Sequence, residues 1–259
     1  MTKQNIPVLI DFDGVIRLGD KLAGDVPELF GFLNRNKIPS CIITNSTRNT
    51  SKEVIRFLAD NGINLPVNAM TTVDATIDYI KEKKYRVSVY CIQNVKKEFE
   101  RLIDDDNPDA VVIGDLGEEW SYIILNGIFR KVHNGAEIIA MQKNKFWLPD
   151  GKSLALDAGA FVTAIEYASG KQATLIGKPS PLYFQSALKK LGFGKENSFY
   201  IIGDDLETDI GGAQAIRGKG ILVFTGKTKF PLKDETSIKP AYTAKDLSEV
   251  IKLLQKILN

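Results

Sequence analysis

Histidine and cysteine are scarce in this sequence: one and two residues in a chain of 259. The lone His133 stands beside Lys131 and Asn134 with no carboxylate close by in sequence, which points to a surface position rather than catalysis. Cys41 falls in the apolar run 40–44 and Cys91 in the run 87–92, so both read as buried thiols of a reducing, cytoplasmic setting, with neither a disulfide nor a zinc site suggested. No apolar run approaches the length that spans a bilayer, and the first seven residues are largely polar, so neither a membrane anchor nor export is expected. Lys and Arg total 34 against 32 acidic residues, and no basic block is interleaved with aromatics as nucleic-acid binding would require. Repeats and low-complexity tracts are absent too. What the chain does have is a hydrophobic fraction of 44%, enough for a substantial core.

The apolar segments alternate with helical patterns. The run 8–12 is short and reads as a buried parallel strand; Pro27 opens a helix to residue 36; 40–44 reads as a second strand; an amphipathic helix over about 50–61 ends at Gly62. The alternation resumes with a strand at 173–176, a helix over 182–191 capped by Ser180 and Pro181, strands at 199–202 and 221–224, and a terminal helix over 246–258. Repeated βα units predict a doubly wound parallel sheet, a Rossmann-like core. Between these blocks a stretch with its own strands at 87–92, 110–113 and 137–141 reads as an inserted α/β domain. The expected division is a core of 1–78 and 175–259 with an insertion of 79–174. The charge runs 81–84 and 104–106, and the cluster of Asp115, Glu118 and Glu119, read as solvated turns and loops.

Open parallel sheets place reactive groups beyond the carboxyl ends of their strands. Four polar clusters fall there: Asp11, Asp13 and Gly14; Thr44 and Asn45; Lys178; and Asp204, Asp205 and Asp209. Carboxylates converging on one crevice repel each other unless a cation sits among them, and hard oxygen donors suit Mg²⁺. A carboxylate held there can attack phosphorus, which assigns Asp11 as nucleophile. Asp13 can protonate the leaving group and then activate water. Gly14 leaves room for backbone N–H groups to face a phosphate. Thr44, Asn45 and Lys178 supply a hydroxyl, an amide and a point charge for phosphoryl oxygens. Asp204 is the second metal carboxylate and Asp209 an outer partner that holds Lys178 or a metal-bound water. Asp205 reads equally as a contact of the metal's water shell or as a cap for the following helical turn.

In this order, Asp-x-Asp-Gly, Thr-Asn, Gly-Lys-Pro and Gly-Asp-x-x-x-x-Asp resemble the four motifs of the haloacid dehalogenase superfamily, and within it the NagD-like phosphatases. The resemblance spans essentially the whole chain. It implies a Rossmann-like core with a large α/β cap inserted between the second and third motifs, and a nucleophile at Asp11. It also implies an acid/base at Asp13 whose backbone carbonyl joins Asp11 and Asp204 at Mg²⁺, and phosphate contacts from Thr44, Asn45 and Lys178. A small phosphorylated substrate follows, hydrolysed as a phosphate monoester, with pyrophosphate or a phosphoamino acid also open; a homodimer through the cap is open as well. The segment 141–147 departs from the Thr-Asn-x-Asp element of many relatives, so their sugar phosphate specificity does not transfer. Phe146 and Trp147 read as local packing in preference to a substrate contact. The competing class is a scaffold that keeps the fold without catalysis; intact Asp11, Asp13, Lys178 and Asp204 argue against it.

Overall fold

Val8, Leu9 and Ile10 are all fully buried because their strand has neighbours on both edges and cover on both faces. The computed structural model describes residues 6–147, 153–232 and 236–258. In chain order the strands of its two main sheets are β1 (Val8–Asp11), β2 (Ser40–Thr44), β3 (Asn68–Thr71), β4 (Val87–Tyr90), β5 (Ala110–Ile113), β6 (Glu137–Ala140), β7 (Thr174–Leu175), β8 (Phe199–Gly203), β9 (Gly218–Val223) and β10 (Tyr242–Ala244). Two short hairpins pair Arg17–Leu18 with Lys21–Leu22 and Phe146–Trp147 with Ala155–Leu156.

The chain divides into two compact units. The larger comprises Met1–Thr44, Ser51–Met70 and Lys178–Asn259. Its six-stranded sheet runs β10-β9-β8-β1-β2-β3, with β1 parallel to both β8 and β2. Alternate residues of a strand face opposite sides. Val8 and Ile10 join a cluster with Val26, Leu29 and Leu33 of the helix Val26–Arg35 and with Leu247, Val250 and Leu254 of the helix Leu247–Leu258. Both helices present apolar residues every three to four positions, the stripe that a helix needs to lie on a sheet. Leu9, on the other face, is equally buried, as are Tyr183 and Phe184 of the helix Pro181–Lys190.

The second unit comprises Asn45–Thr50 and Thr71–Gly177. Its sheet runs β7-β6-β5-β4, parallel throughout. Val111, Ile113, Ile138 and Ala140 pack against Ile128 and Val132 of the helix Tyr122–His133 and Val162 and Ile165 of the helix Ala158–Ser169. Trp120 stacks on Phe161 with ring centroids 4.2 Å apart.

The doubly wound α/β core and the inserted α/β unit agree with the sequence expectation; the boundaries do not coincide with it. The expected core strand at 173–176 shortens to β7 and pairs with β6 in the second sheet. The division falls after Met70 and after Gly177 instead of after 78 and 174. The helix Thr72–Lys83 goes with the second unit, started at the boundary by a reciprocal cap between Thr71 and Asp74. Three elements had no sequence signal strong enough to read: β3, β10 and the hairpin at 17–22, all four residues or fewer per strand. Among the described residues no helix is long and apolar enough to cross a membrane. His133 is exposed, beside the ring of Phe129.

Candidate active site

From β1 the larger sheet winds one way to β2 and β3, and the returning chain winds the other way from β8 to β9 and β10. The reversal between β1 and β8 opens a crevice at the carboxyl ends of both strands. Asp11 closes β1 and Asp204 follows β8 directly, so the topology alone brings together two residues far apart along the chain. Asp209 lies in the single helical turn Leu206–Gly211. One carboxyl oxygen from each of Asp11, Asp204 and Asp209 falls within 4.8 Å of the others, and all three residues are buried.

Lys178, 4% exposed, extends into this cluster. Its Nζ donates to Asp11 Oδ1 and to Asp209 Oδ1, each at 2.6 Å. Burial acts to lower the Lys178 ammonium, but the charges of Asp11 and Asp209 outweigh it and hold the group above the ordinary lysine range. Burial first, then the charge of Asp209, pushes the Asp11 carboxyl well above the usual carboxylate range; Lys178 pulls the other way and Asp204 adds to the rise. Asp204 is raised by burial and by Asp209, against the Lys227 N–H and a hydrogen bond with the Asp11 side chain. Three buried carboxyl groups share a single ammonium, so full ionisation would leave an excess of two negative charges in the crevice. That excess, and donors that are all hard oxygens, fit a divalent cation such as Mg²⁺.

Asp13 stands at the exposed rim. Its Oδ1 accepts from Arg17 Nε at 2.8 Å and Nη2 at 2.5 Å, and its Oδ2 accepts from the Thr44 hydroxyl at 3.3 Å. Gly14 has φ +90°, and a Cβ there would overlap Asp204 Oδ2, so both its conformation and its neighbour demand glycine. Asp205 caps its helical turn, accepting from the amides of Glu207 and Thr208, while its other oxygen takes the Lys227 ammonium. The cap that the sequence offered for Asp205 is thus formed.

Of the residues singled out in the sequence, Asp11, Asp13, Gly14, Thr44, Lys178, Asp204, Asp205 and Asp209 share the larger unit. Asn45 is grouped with the second unit, where a Cβ on Gly177 would lie 2.7 Å from its Oδ1. Three contributors escaped sequence reading. Tyr183 accepts the Thr44 amide at 3.0 Å, and its proton is shared between the Thr44 and Met70 carbonyls at 2.6 and 2.8 Å. Arg17 holds Asp13, and the loop 225–228 reaches Gly14 and Asp204. No local pattern marks them, since their roles appear only once the chain has folded.

A family model described as haloacid dehalogenase-like hydrolase matches residues 8–102, and a HAD-hydrolase-like model matches 175–250. The haloacid dehalogenase-like hydrolase domain-containing protein 2 of Bos taurus is 34% identical over 90% of this chain and 89% of its own length. The phospholysine phosphohistidine inorganic pyrophosphate phosphatase of Rattus norvegicus is 31% identical over 95% and 93%. The 4-nitrophenylphosphatase of Thermotoga maritima superposes with a TM-score of 0.86, at 28% identity over 96% of this chain and 97% of its own. NagD from E. coli K-12 has the same fold, with a TM-score of 0.84 over 94% and 97% at 24% identity. The chain belongs to the haloacid dehalogenase-like hydrolases, and its relatives place it among their phosphatases.

Proposed function

We propose that the chain is a Mg²⁺-dependent phosphatase of small phosphate monoesters that works through an aspartyl-phosphate on Asp11. The observation that carries this reading is the buried Asp11 carboxyl, held by Lys178 and clustered with Asp204 and Asp209. Oδ1 of Asp11 accepts from Lys178, which holds the carboxylate for attack on phosphorus through Oδ2. As the Asp11 Oδ2–P bond forms, the ester P–O bond breaks, and Asp13 gives its proton to the leaving oxygen. Asp13 then takes a proton from the water that attacks the aspartyl-phosphate, so free phosphate leaves and both carboxyls return to their starting state. Asp13 is free to do this: its i,i+4 pair with Arg17 is exposed and worth no more than about 1 kcal/mol.

Lys178 neutralises phosphoryl oxygen charge, and the Thr44 hydroxyl, the Asn45 amide and the amides around Gly14 serve as donors. Asp11, Asp204 and the backbone carbonyl of Asp13 are the groups that would hold Mg²⁺, with Asp209 behind them. The cation's charge would keep Asp11 ionised and draw the phosphate into the crevice. A homodimer through the second unit is part of the proposal, supported by the exposure there of Tyr122, Ile123 and Tyr167 at 80, 82 and 91%. A monomer mass in sedimentation at high protein concentration would remove it. Cytoplasmic residence rests on Cys41 and Cys91, both buried and neither in a disulfide.

The test is turnover of p-nitrophenyl phosphate with and without added Mg²⁺ by the wild type and Asp11→Asn. Activity is expected only with metal, and the variant should fall to background while keeping its circular dichroism. Turnover by the variant, or metal-independent turnover, would refute the mechanism; a wild type inert towards a broad panel of phosphate esters, pyrophosphate and phosphoamino acids would favour a scaffold. The rat relative's name is the reason to include the last two.

A further inference from the structure

The loop after β9 meets the acidic crevice at several points, although no motif marks it. The Thr225 hydroxyl donates to the Gly14 carbonyl at 2.5 Å, and the Lys227 amide donates to Asp204 Oδ2 at 2.5 Å. The Thr228 amide donates to the Asp204 carbonyl at 3.0 Å, and the Lys227 ammonium meets Asp205 Oδ2 at 2.5 Å. Gly226 lies between them with no room for a side chain: a Cβ would overlap Asp204 Oδ2 and stand 2.8 Å from the Gly14 Cα.

We propose that residues 225–228 are a positioning device that sets the rotation of the Asp204 carboxylate for a divalent cation. The inference rests on the reading of Asp204 as a cation ligand. A side-chain carboxylate on a short loop turns freely about its last two bonds. Here its main chain is fixed by Thr228 and one oxygen by the Lys227 amide, so the remaining oxygen faces one direction only. Thr225 ties the same loop to the turn that follows Asp11 and Asp13, which keeps the two carboxyl-bearing strand ends in register. An outer partner of this kind typically changes metal affinity about 10- to 100-fold when removed. Because the contact to Asp204 runs through a main-chain amide, it is independent of the residue type at 227. The small residue at 226 and the hydroxyl at 225 are what the device requires.

The experiment measures binding of Mn²⁺ alone to metal-stripped protein by electron paramagnetic resonance, with Mg²⁺ as competitor and thermal unfolding alongside. Thr225→Val should raise the dissociation constant roughly ten-fold at nearly unchanged thermal midpoint, and Thr225→Ser, which restores the hydroxyl, should return it to the wild-type value. Gly226→Ala should weaken binding more; if that variant fails to fold, the Thr225 pair decides alone. A Thr225→Val protein that binds Mn²⁺ like the wild type would overturn the positioning role and leave the proposed function standing. A wild type that binds no Mn²⁺ would overturn both.

Discussion

Replacing Lys178 by methionine keeps an unbranched side chain of similar length in place while removing the ammonium that faces Asp11 and Asp209. Lys178 is 4% exposed and pairs with each at 2.6 Å, so water cannot take its place freely. Removing one member of a buried ion pair costs about 3–5 kcal/mol. A second route gives the same scale: the crevice can relieve itself by protonating a carboxyl, and moving an ordinary carboxyl to its neutral form at pH 7 costs about 1.4 kcal/mol for each of roughly three pH units, or about 4 kcal/mol. A loss near 3–4 kcal/mol should lower the thermal midpoint by roughly 10 °C in metal-free buffer at pH 7.5. The sign with pH is fixed. A carboxyl kept protonated in the folded chain but ionised in the unfolded one makes stability fall as pH rises above the unfolded value. Asp11 and Asp204 are already raised in the wild type, so the gap reflects only the further rise in the variant; it should shrink on going from pH 7.5 to pH 5, and MgCl₂ should narrow it at the higher pH. Calorimetry at both pH values decides the matter. A gap of equal size at pH 5 and 7.5, or no gap, would show that the crevice carries no excess negative charge.

Tyr183→Phe removes a fully buried hydroxyl engaged by two backbone groups of Thr44 and one of Met70; a cost of about 1–3 kcal/mol is expected, read as a lower thermal midpoint, with a raised KM as Thr44 shifts. If the Tyr183→Phe variant kept the wild-type midpoint and KM, Thr44 would have to be held by other means. Burial pushes the Cys91 thiol up to about 12, so Ellman's reagent at pH 8 should label it only as fast as the chain opens and completely in urea. Because that value is raised, Cys91 costs stability as pH climbs from the ordinary thiol range towards 12; prompt labelling of the native protein at pH 8 would contradict the burial.

Much of the larger unit was legible in the sequence. The buried run Val8 to Ile10 and the segment Ser40–Thr44 have no other use than as central parallel strands, and the stripe Leu247, Val250, Leu254 can only be a helix face. Asp11 and Asp204 were identifiable because a parallel strand delivers whatever follows it to the same edge of the sheet, and the order of the motifs preserved that information. Such signals are local: they depend on periodicity within a few residues.

What the sequence withheld depends on contacts between distant residues. The two-residue strand β7 could have extended either sheet, and its pairing with β6 settled the question through a register against Ile139 and Ala140 that no pattern in 173–176 encodes. Asn45, adjacent to Thr44 in the chain, is grouped with the other unit. Tyr183, Arg17 and residues 225–228 are ordinary in sequence and become parts of the crevice only where folding sets them against Thr44, Asp13 and Asp204. The alternation of strands and helices, and the strand ends that carry Asp11 and Asp204, were thus legible in local pattern and motif order, whereas the orientation of each carboxylate was decided by main-chain donors and hydroxyls brought in from elsewhere, because hydrogen-bond geometry is a property of assembled neighbours and not of spacing along the chain.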